Sequence, residues 1–428
     1  MNAITSTNAL AATAALEGSL RAIVGPQHLR STVEADAVAG VRPRIVVEPA
    51  TEQELAAALR LANNAGLSVI PRGGGTKLGW GNPPARADLI LSTSRLNKII
   101  EHPWADLTVS VEAGCTMEKL QSTLAQHGQR LALDALWPAR ATIGGILSSN
   151  DSGSLRLRFG ALRELIIGVT LALSDGTLAS SGGKVVKNVA GYDLQKLATG
   201  ALGTLGVITR AVFRVHPLPK TSKTFSIPTQ TFEESQRVLS TIQDSKLAHT
   251  ALHVRAASDA LPFVDVLLEG TEAGLTAQEA QLKRLLAPNA LLDSPSTVWN
   301  ARQHLWDNSD SAAIAKLSVL PCEIAQTLEN IQRLGAQYRS HWQTIIGAFG
   351  IGWLRLEGLP ENLHSVLQEL RAQLERESGS LIVLHRPPTL PPFDAWGNAG
   401  DALPLMRAVK HQLDPKNTLN PGRFVGGI

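Results

Sequence analysis

The clearest patterning lies between residues 41 and 72, where apolar positions recur at two different periods. IVVEP (45–49) is a β-branched run closed by a proline, and LSVIP (67–71) is a second. Between them Leu55, Ala58, Leu59 and Ala62 fall at the spacing of one helical face. Thr51 and Glu54 stand at the separation of a capping box, and Gly66 is placed to end the helix. The segment predicts strand, helix, strand. ADLILST and LTVSVEAG, within 86–113, read as two further strands around a polar connection. Residues 116–128 then predict an amphipathic helix with Met117, Leu120, Leu124 and His127 on its inner face. LIIGVTLALSDGTLAS is an apolar run meeting Asp175-Gly176, the best hairpin signal in the chain.

Past VFRVHPLP (212–219), a strand closed by two prolines, the texture changes. Helical periods over 232–244, 272–287, 323–341 and 361–377 alternate with strand-like runs such as VDVLLEG, IGWLRLEG and GSLIVLH. This pattern predicts an antiparallel sheet with helices on one face. A proline-rich connector, RPPTLPP (386–392), leads to a helix near 402–413 and the tail LDPKNTLNPGRF. The expected organisation is an N-terminal tail and short helix (1–40), a glycine-rich first domain (41–219), a second domain (220–400) and a returning C-terminal segment (401–428).

Composition narrows the classes. With 428 residues, 44% hydrophobic and 18% charged, the chain has ample material for a buried core. No apolar run approaches the ~18 residues of a membrane span, and Glu17 interrupts the one N-terminal stretch that could mimic a signal peptide. A cytoplasmic protein is expected. A net charge of +3 without a basic stripe argues against nucleic acid. Two cysteines, Cys115 and Cys322, are too few for a self-contained iron–sulfur cluster, which needs about four thiolates. Cys115, at a strand end, reads as a small buried thiol.

Candidate chemistry concentrates in three small-residue stretches. PRGGGTKLGWG (71–81) follows a strand, and consecutive glycines let backbone N–H groups converge on an anion. The spacing fits neither the P-loop nor the dinucleotide G-x-G-x-x-G pattern. Alone, the stretch is equally a tight turn. TIGGILSSNDSG (142–153) and GALGTLGVIT (200–209) add unobstructed backbone, hydroxyls and an amide, and three such loops suggest one extended ligand held from several sides.

Taken in order with VEPATEQEL, ALSDG, KVVKNVAGYDLQKLATGALGTLGVIT and VFRVHPLP, these stretches resemble the FAD-binding domain of the p-cresol methylhydroxylase/vanillyl-alcohol oxidase superfamily. GGKVVKNVAGYDL, LSTSRLNKIIEHPWADLTVSVEAG and LDPKNTLNPGRF are most similar to the FAD-binding subunits of bacterial glycolate oxidase (glycolate dehydrogenase) complexes. The resemblance implies an α+β fold, two α/β subdomains clasping FAD and then an α+β cap domain. It implies that Arg72, Gly73, Gly74, Gly75, Thr76 and Lys77 wrap the pyrophosphate, and that Thr142, Gly144, Gly145, Ser149 and Asn150 continue the cradle toward the flavin. Gly203, Thr204, Gly206 and Val207 would hold the adenosine side, with Ile208 near adenine. It also implies oxidation of glycolate to glyoxylate, with a sister flavoprotein subunit and an iron–sulfur subunit as partners.

Two departures bear on that reading. The GSEGT segment of related oxidases is Gly-Ala-Leu-Gly-Thr at 200–204, without a carboxylate. The histidine-rich H-G-D-G-N segment of members that oxidise 2-hydroxy acids is absent, which points to a sister subunit as the main site of substrate oxidation. A self-sufficient FAD-dependent 2-hydroxy-acid dehydrogenase, acting on glycolate or D-lactate, stays open, as does a non-catalytic assembly subunit. Thr76 stands where some relatives attach flavin through histidine, and 140–160 has no cysteine, so the FAD is expected to be non-covalent.

Among other polar residues, Lys187, Asn188 and Tyr192 are flavin-proximal candidates, in a cluster with Lys184 and Asp193. Arg156, Arg158 and Arg163 are candidates for carboxylate or phosphate, with two of the three expected on the surface. His249 and His253 in HTALH have i,i+4 spacing, but the flanking sequence looks extended, against a metal site. His385-Arg386 reads as a strand-end pair facing solvent.

Overall fold

The computed structural model describes residues 15–184 and 192–428. Its first sheet assembles β1 (Leu29–Ser31), β2 (Ile45–Val47), β3 (Val69–Arg72) and β4 (Leu89–Ser92) in the order β1-β2-β4-β3. β2 and β3 both run parallel to the central β4. Helix α1 (Glu52–Asn64) makes the crossover that parallel neighbours require. It starts where Thr51 accepts the Glu54 amide at 3.1 Å, while the Glu54 carboxylate takes the Ala50 amide at 2.7 Å. Leu55, Ala58, Leu59 and Ala62 are all buried, and Gly66 turns the chain at φ +67°. The pattern of apolar positions was thus enough to place this unit.

A second, five-stranded antiparallel sheet contains β5 (Ile99–Glu101), β6 (Thr108–Glu112), β7 (Ile166–Ala172), β8 (Leu178–Gly182) and β9 (Val207–Arg214), ordered β5-β6-β9-β7-β8. The Asp175-Gly176 turn joins β7 to β8 as a hairpin. β7 is buried along its whole length, because helices α2 (Met117–Ala125) and α3 (Ile143–Ser149) pack into the same core. Met117, Leu120 and Leu124 face that core, whereas His127 does not. It lies past the end of α2, exposed and stacked on Trp104 at 5.5 Å, since the helix stops three residues earlier than the sequence pattern suggested.

The cap domain is one eight-stranded antiparallel sheet. Its strands are β10 (Thr221–Pro228), β11 (His249–Ala257), β12 (Ala260–Gly270), β13 (Leu292–Asp293), β14 (Ala312–Ser318), β15 (His341–Gly347), β16 (Ile351–Glu357) and β17 (Ser380–His385). Their order is β13-β10-β12-β11-β15-β16-β14-β17. Helices α4 (Phe232–Gln243), α5 (Glu272–Leu286), α6 (Ile324–Gln337) and α7 (Pro360–Arg376) bury one face through residues such as Leu239, Leu282, Ile331 and Leu370. The opposite face meets the first domain: Ile345, Trp353 and Leu384 join Trp80 and Leu136 in a separate apolar cluster.

Helix α8 (Leu403–Leu413) brings the tail back to the first domain. Lys410 binds Asp414 at 2.6 Å and the carbonyls of Thr204 and Leu419, and Leu419 bridges in parallel to Val69 beside β3. The C-terminus is therefore a structural part of the first domain. Among the described residues no helix is long and apolar enough to cross a membrane.

Candidate functional site

Strand β3 ends in the loop that carries the three glycines. The loop forms one wall of a cleft of about 680 Å³, open to solvent. Arg72, Gly73, Gly74, Gly75, Thr76 and Lys77 line it from one side. Thr142, Gly144, Gly145 and Ser149, at and along α3, line the second. Gly203, Gly206, Val207 and Ile208, at the start of β9, close the third. The three stretches marked in the sequence are three walls of one cavity.

The glycines are demanded by contact as well as by conformation. A methyl on Gly73 would stand 2.0 Å from Thr142 Oγ1, and one on Gly74 would stand 1.7 Å from the Arg140 carbonyl oxygen. Gly75 sits at φ +73°, where a side chain is strained. So packed, the loop leaves the N–H groups of Gly73 through Lys77 without an acceptor among the described residues. Thr142 Oγ1 and Asn420 Oδ1 are also buried, unpartnered and on the cleft wall. The run of N–H donors opens into the cleft, exposed at Gly74 and Gly75, and converging backbone donors of this kind fit a polyanionic group such as a pyrophosphate.

Several candidate residues stand elsewhere. Asn150 ends α3 at φ +49° and packs on Gly200, and Thr204 is buried with its hydroxyl on the Ala201 carbonyl; neither lines the cleft. The Arg72 side chain turns away to Asp36 at 2.5 Å. Arg30 with Arg72 holds the Asp36 carboxyl well below its usual range. Tyr192 is 90% exposed and away from the cleft. Lys187 and Asn188 lie outside the described residues. Lys184 pairs with Glu101 and Asp193 with Lys196 on the surface. Of the arginines, Arg158 and Arg163 are exposed and Arg156 reaches toward the Phe349 ring; none lines the cleft. His385 and Arg386 do not face solvent freely. Each is half-buried and tied to a backbone carbonyl, of Ser309 and Phe393.

The tail supplies residues the sequence had not assigned to the cleft. Asn420 and Arg423 both line it. Arg423 is buried and donates to the carbonyls of Leu78, Trp80 and Asn82, which holds the far end of the glycine loop in place. Burial pushes its guanidinium down to about 10. NPGRF was visible as a motif, but only the fold shows that it buttresses a loop some 340 residues away.

Between the cleft and the cap domain is a cluster of charges, of which Lys77 lines the cleft. Lys77, almost wholly buried, places Nζ 3.1 Å from Asp151 and over the rings of Trp80 and Trp137. Arg302, from the cap domain, contacts the other Asp151 oxygen at 2.8 Å. Burial alone would raise the Asp151 carboxyl, but Arg302 and Lys77 outweigh it and hold the group below its usual value. Burial lowers Lys77 and raises Asp134, which accepts the amides of Gly153 and Leu155. Lys316 on β14 is pushed down to about 8 by burial and has no hydrogen-bond or ion-pair partner among the described residues. His253 is buried between Ser154 at 3.1 Å and Asp265 at 2.8 Å, on an extended strand as the sequence suggested. Beside these groups, Trp80 stacks on Trp306 and Trp137 meets it edge-on at 5.0 Å. Arg302 and Lys316 are isolated residues in ordinary segments of the sequence, Asp151 was passed over within a marked stretch, and His253 was weighed only as half of a metal pair.

Comparison with known proteins bears on the cofactor. Residues 43–182 match the model of the FAD binding domain family. This segment is an FAD-binding domain. The chain is 26% identical to glycolate oxidase subunit GlcD of Bacillus subtilis, covering 89% of each chain. It is 25% identical to D-2-hydroxyglutarate dehydrogenase of Xanthomonas citri pv. viticola, again over 89% of each. The whole fold superposes on substrate-bound p-cresol methylhydroxylase with a TM-score of 0.77, 15% identity and 96% coverage of both chains. The cofactor is FAD, and the cleft has the unpaired donors that its pyrophosphate needs. FAD supplies the capacity to accept a hydride; the protein's part is to bind, orient and exclude water.

Proposed function

We propose that this chain is the FAD-bearing subunit of a multi-subunit enzyme that oxidises glycolate to glyoxylate, working with a sister flavoprotein and an iron–sulfur subunit. The observation that carries the reading is an asymmetry around the cleft. The pyrophosphate side offers a run of unpaired N–H groups, whereas the cap side is filled by indoles and by side chains already engaged with one another. His253, the histidine facing the first domain from the middle of the cap sheet, is occupied by Asp265 and Ser154. Relatives named as a glycolate oxidase subunit and as a D-2-hydroxyglutarate dehydrogenase support the substrate class.

In this reading Gly73, Gly74, Gly75, Thr76 and Lys77 donate to the pyrophosphate, and Thr142, Gly144, Gly145 and Ser149 extend the cradle. Gly203, Gly206, Val207 and Ile208 flank the adenosine. Asn420 adds a polar contact, and Arg423 fixes the loop. The FAD is non-covalent: neither Cys115, which is buried, nor Cys322 lines the cleft, and no histidine does. Flavin should therefore leave the protein on acid precipitation.

Lys316 favours a second reading, a self-sufficient 2-hydroxy-acid dehydrogenase. A half-buried ammonium without a partner among the described residues is suited to a substrate carboxylate. Anaerobic addition of glycolate to the isolated chain, compared with the chain co-purified with its partners, separates the two. The first reading expects the flavin of the isolated chain to stay oxidised; the second expects prompt bleaching.

A further inference from the structure

Lys77 and Asp151 occupy matched places. Lys77 directly follows the last hydroxyl of the glycine loop, and Asp151 directly follows the left-handed residue that ends α3. Their ion pair ties together the two walls that approach the cofactor phosphate. It has a third member from outside the cradle: Arg302 belongs to the cap domain, lies in a short helix over Ala301–His304, and lines a different cavity with Asp134, Ser154 and His253. Lys77 lines the FAD cleft, Arg302 lines the cap cavity, and Asp151 stands between them.

The hydrogen bonding makes this a chain rather than a cluster. Asp151 Oδ1 is taken by Arg302, and Oδ2 receives both Lys77 and the Leu136 amide. Arg302 also donates to the carbonyls of Ser152 and Asp134, at either end of the segment on which the cradle loop rests. Its planar fork fixes the carboxylate plane as well as neutralising it. Without it the carboxylate is free to rotate, and the Leu136 amide and Lys77 lose a common, oriented acceptor. The side chains of all three charged residues are at least nine-tenths buried, so water cannot replace a lost partner.

We infer that Lys77, Asp151 and Arg302 form a buried charge bridge that couples docking of the cap domain to the affinity of the cleft for FAD, with Arg302 acting as a positioning residue for a cofactor it does not touch. The bridge rests on the reading of the cleft as the FAD site, not on which substrate is oxidised or by which subunit. Coupling of this kind is reciprocal: a bridge that favours FAD must itself be stabilised when FAD is bound.

The test uses the full chain, stripped of flavin and titrated with FAD, with thermal unfolding followed in the presence and absence of FAD. Arg302→Met is expected to weaken FAD binding at least tenfold and to shrink the rise in Tm that FAD produces. Arg302→Lys should recover part of both. Arg371→Met is the comparison, because Arg371 is a similarly buried cap arginine whose hydrogen bonds among the described residues go to the carbonyls of Leu381, Asp394 and Ala395 and whose guanidinium lies over the Phe393 ring. It should lower Tm of the stripped protein and leave FAD affinity within twofold. Lys77→Met should weaken FAD, and Lys77→Met with Arg302→Met should be little worse than either alone. The inference is overturned if Arg302→Met lowers Tm as Arg371→Met does but keeps FAD affinity within twofold, or if the Lys77 and Arg302 effects multiply independently.

Discussion

The cleft and the charge cluster between it and the cap are built from different materials. On the glycine-loop wall the free groups are backbone N–H donors, exposed where glycines pack against Thr142 and the Arg140 carbonyl. On the cap side the groups are side chains, Lys77, Asp151, Arg302, Lys316 and His253, whose properties come from burial and from one another. A backbone site depends on shape and tolerates almost no added atom. A side-chain site depends on partners and shows itself in pH dependence. The contrast predicts that one half of this protein responds to sterics and the other to titration.

The sharpest way to break the comparison is to add one carbon to the loop. Gly74→Ala forces a methyl against the Arg140 carbonyl, with no flexible side chain to yield. Overpacking of this kind costs about 1–3 kcal/mol, and if that cost falls on the bound loop, FAD affinity should drop about fivefold to 150-fold. Gly79→Ala, four residues beyond Gly75, meets nothing within 4 Å and should leave it unchanged. Retained flavin after gel filtration reads both. Equal losses from the two would show that the loop is merely fragile.

The cap side is sharpened by Lys316. Its folded pKa is about 8, below the usual lysine value near 10.4, so the unfolded chain binds more protons between those values. Stability should therefore rise as pH increases from about 8 to about 10.4. Lys316→Met should flatten that rise in denaturant titrations across the window and leave FAD affinity unchanged. A persisting slope would place its origin elsewhere. A smaller effect marks the scaffold common to both sides. Thr51→Ala removes the cap of α1 and should cost about 1 kcal/mol in chemical denaturation, without altering the flavin spectrum.

The same contrast governs how far the protein could be read from its residues. Glycine runs flanked by strands are local features, and all three proved to face one cleft. The β2-α1-β3 unit and the β7–β8 hairpin were equally local, fixed by period, cap and turn. Asn150 and Thr204 were misplaced because motif membership does not say which way a side chain points. Asn150 terminates a helix and Thr204 caps its own turn. Tyr192 was a candidate for its hydrogen-bonding side chain, which carries no geometry, and it is exposed away from the cleft. The charge bridge was invisible because its members are separated by 74 and 151 positions, at 77, 151 and 302. Burial, which gives those charges their meaning, is a property of the folded chain alone.

The reading of this chain as a partnered flavoprotein is tested most directly by the visible flavin spectrum of the purified chain during anaerobic addition of glycolate, alone and then with the partner subunits present. The account predicts a flavin band that glycolate leaves oxidised in the isolated chain and bleaches once the partners are added. Prompt bleaching in the isolated chain, or no flavin band even after FAD is supplied, would contradict it.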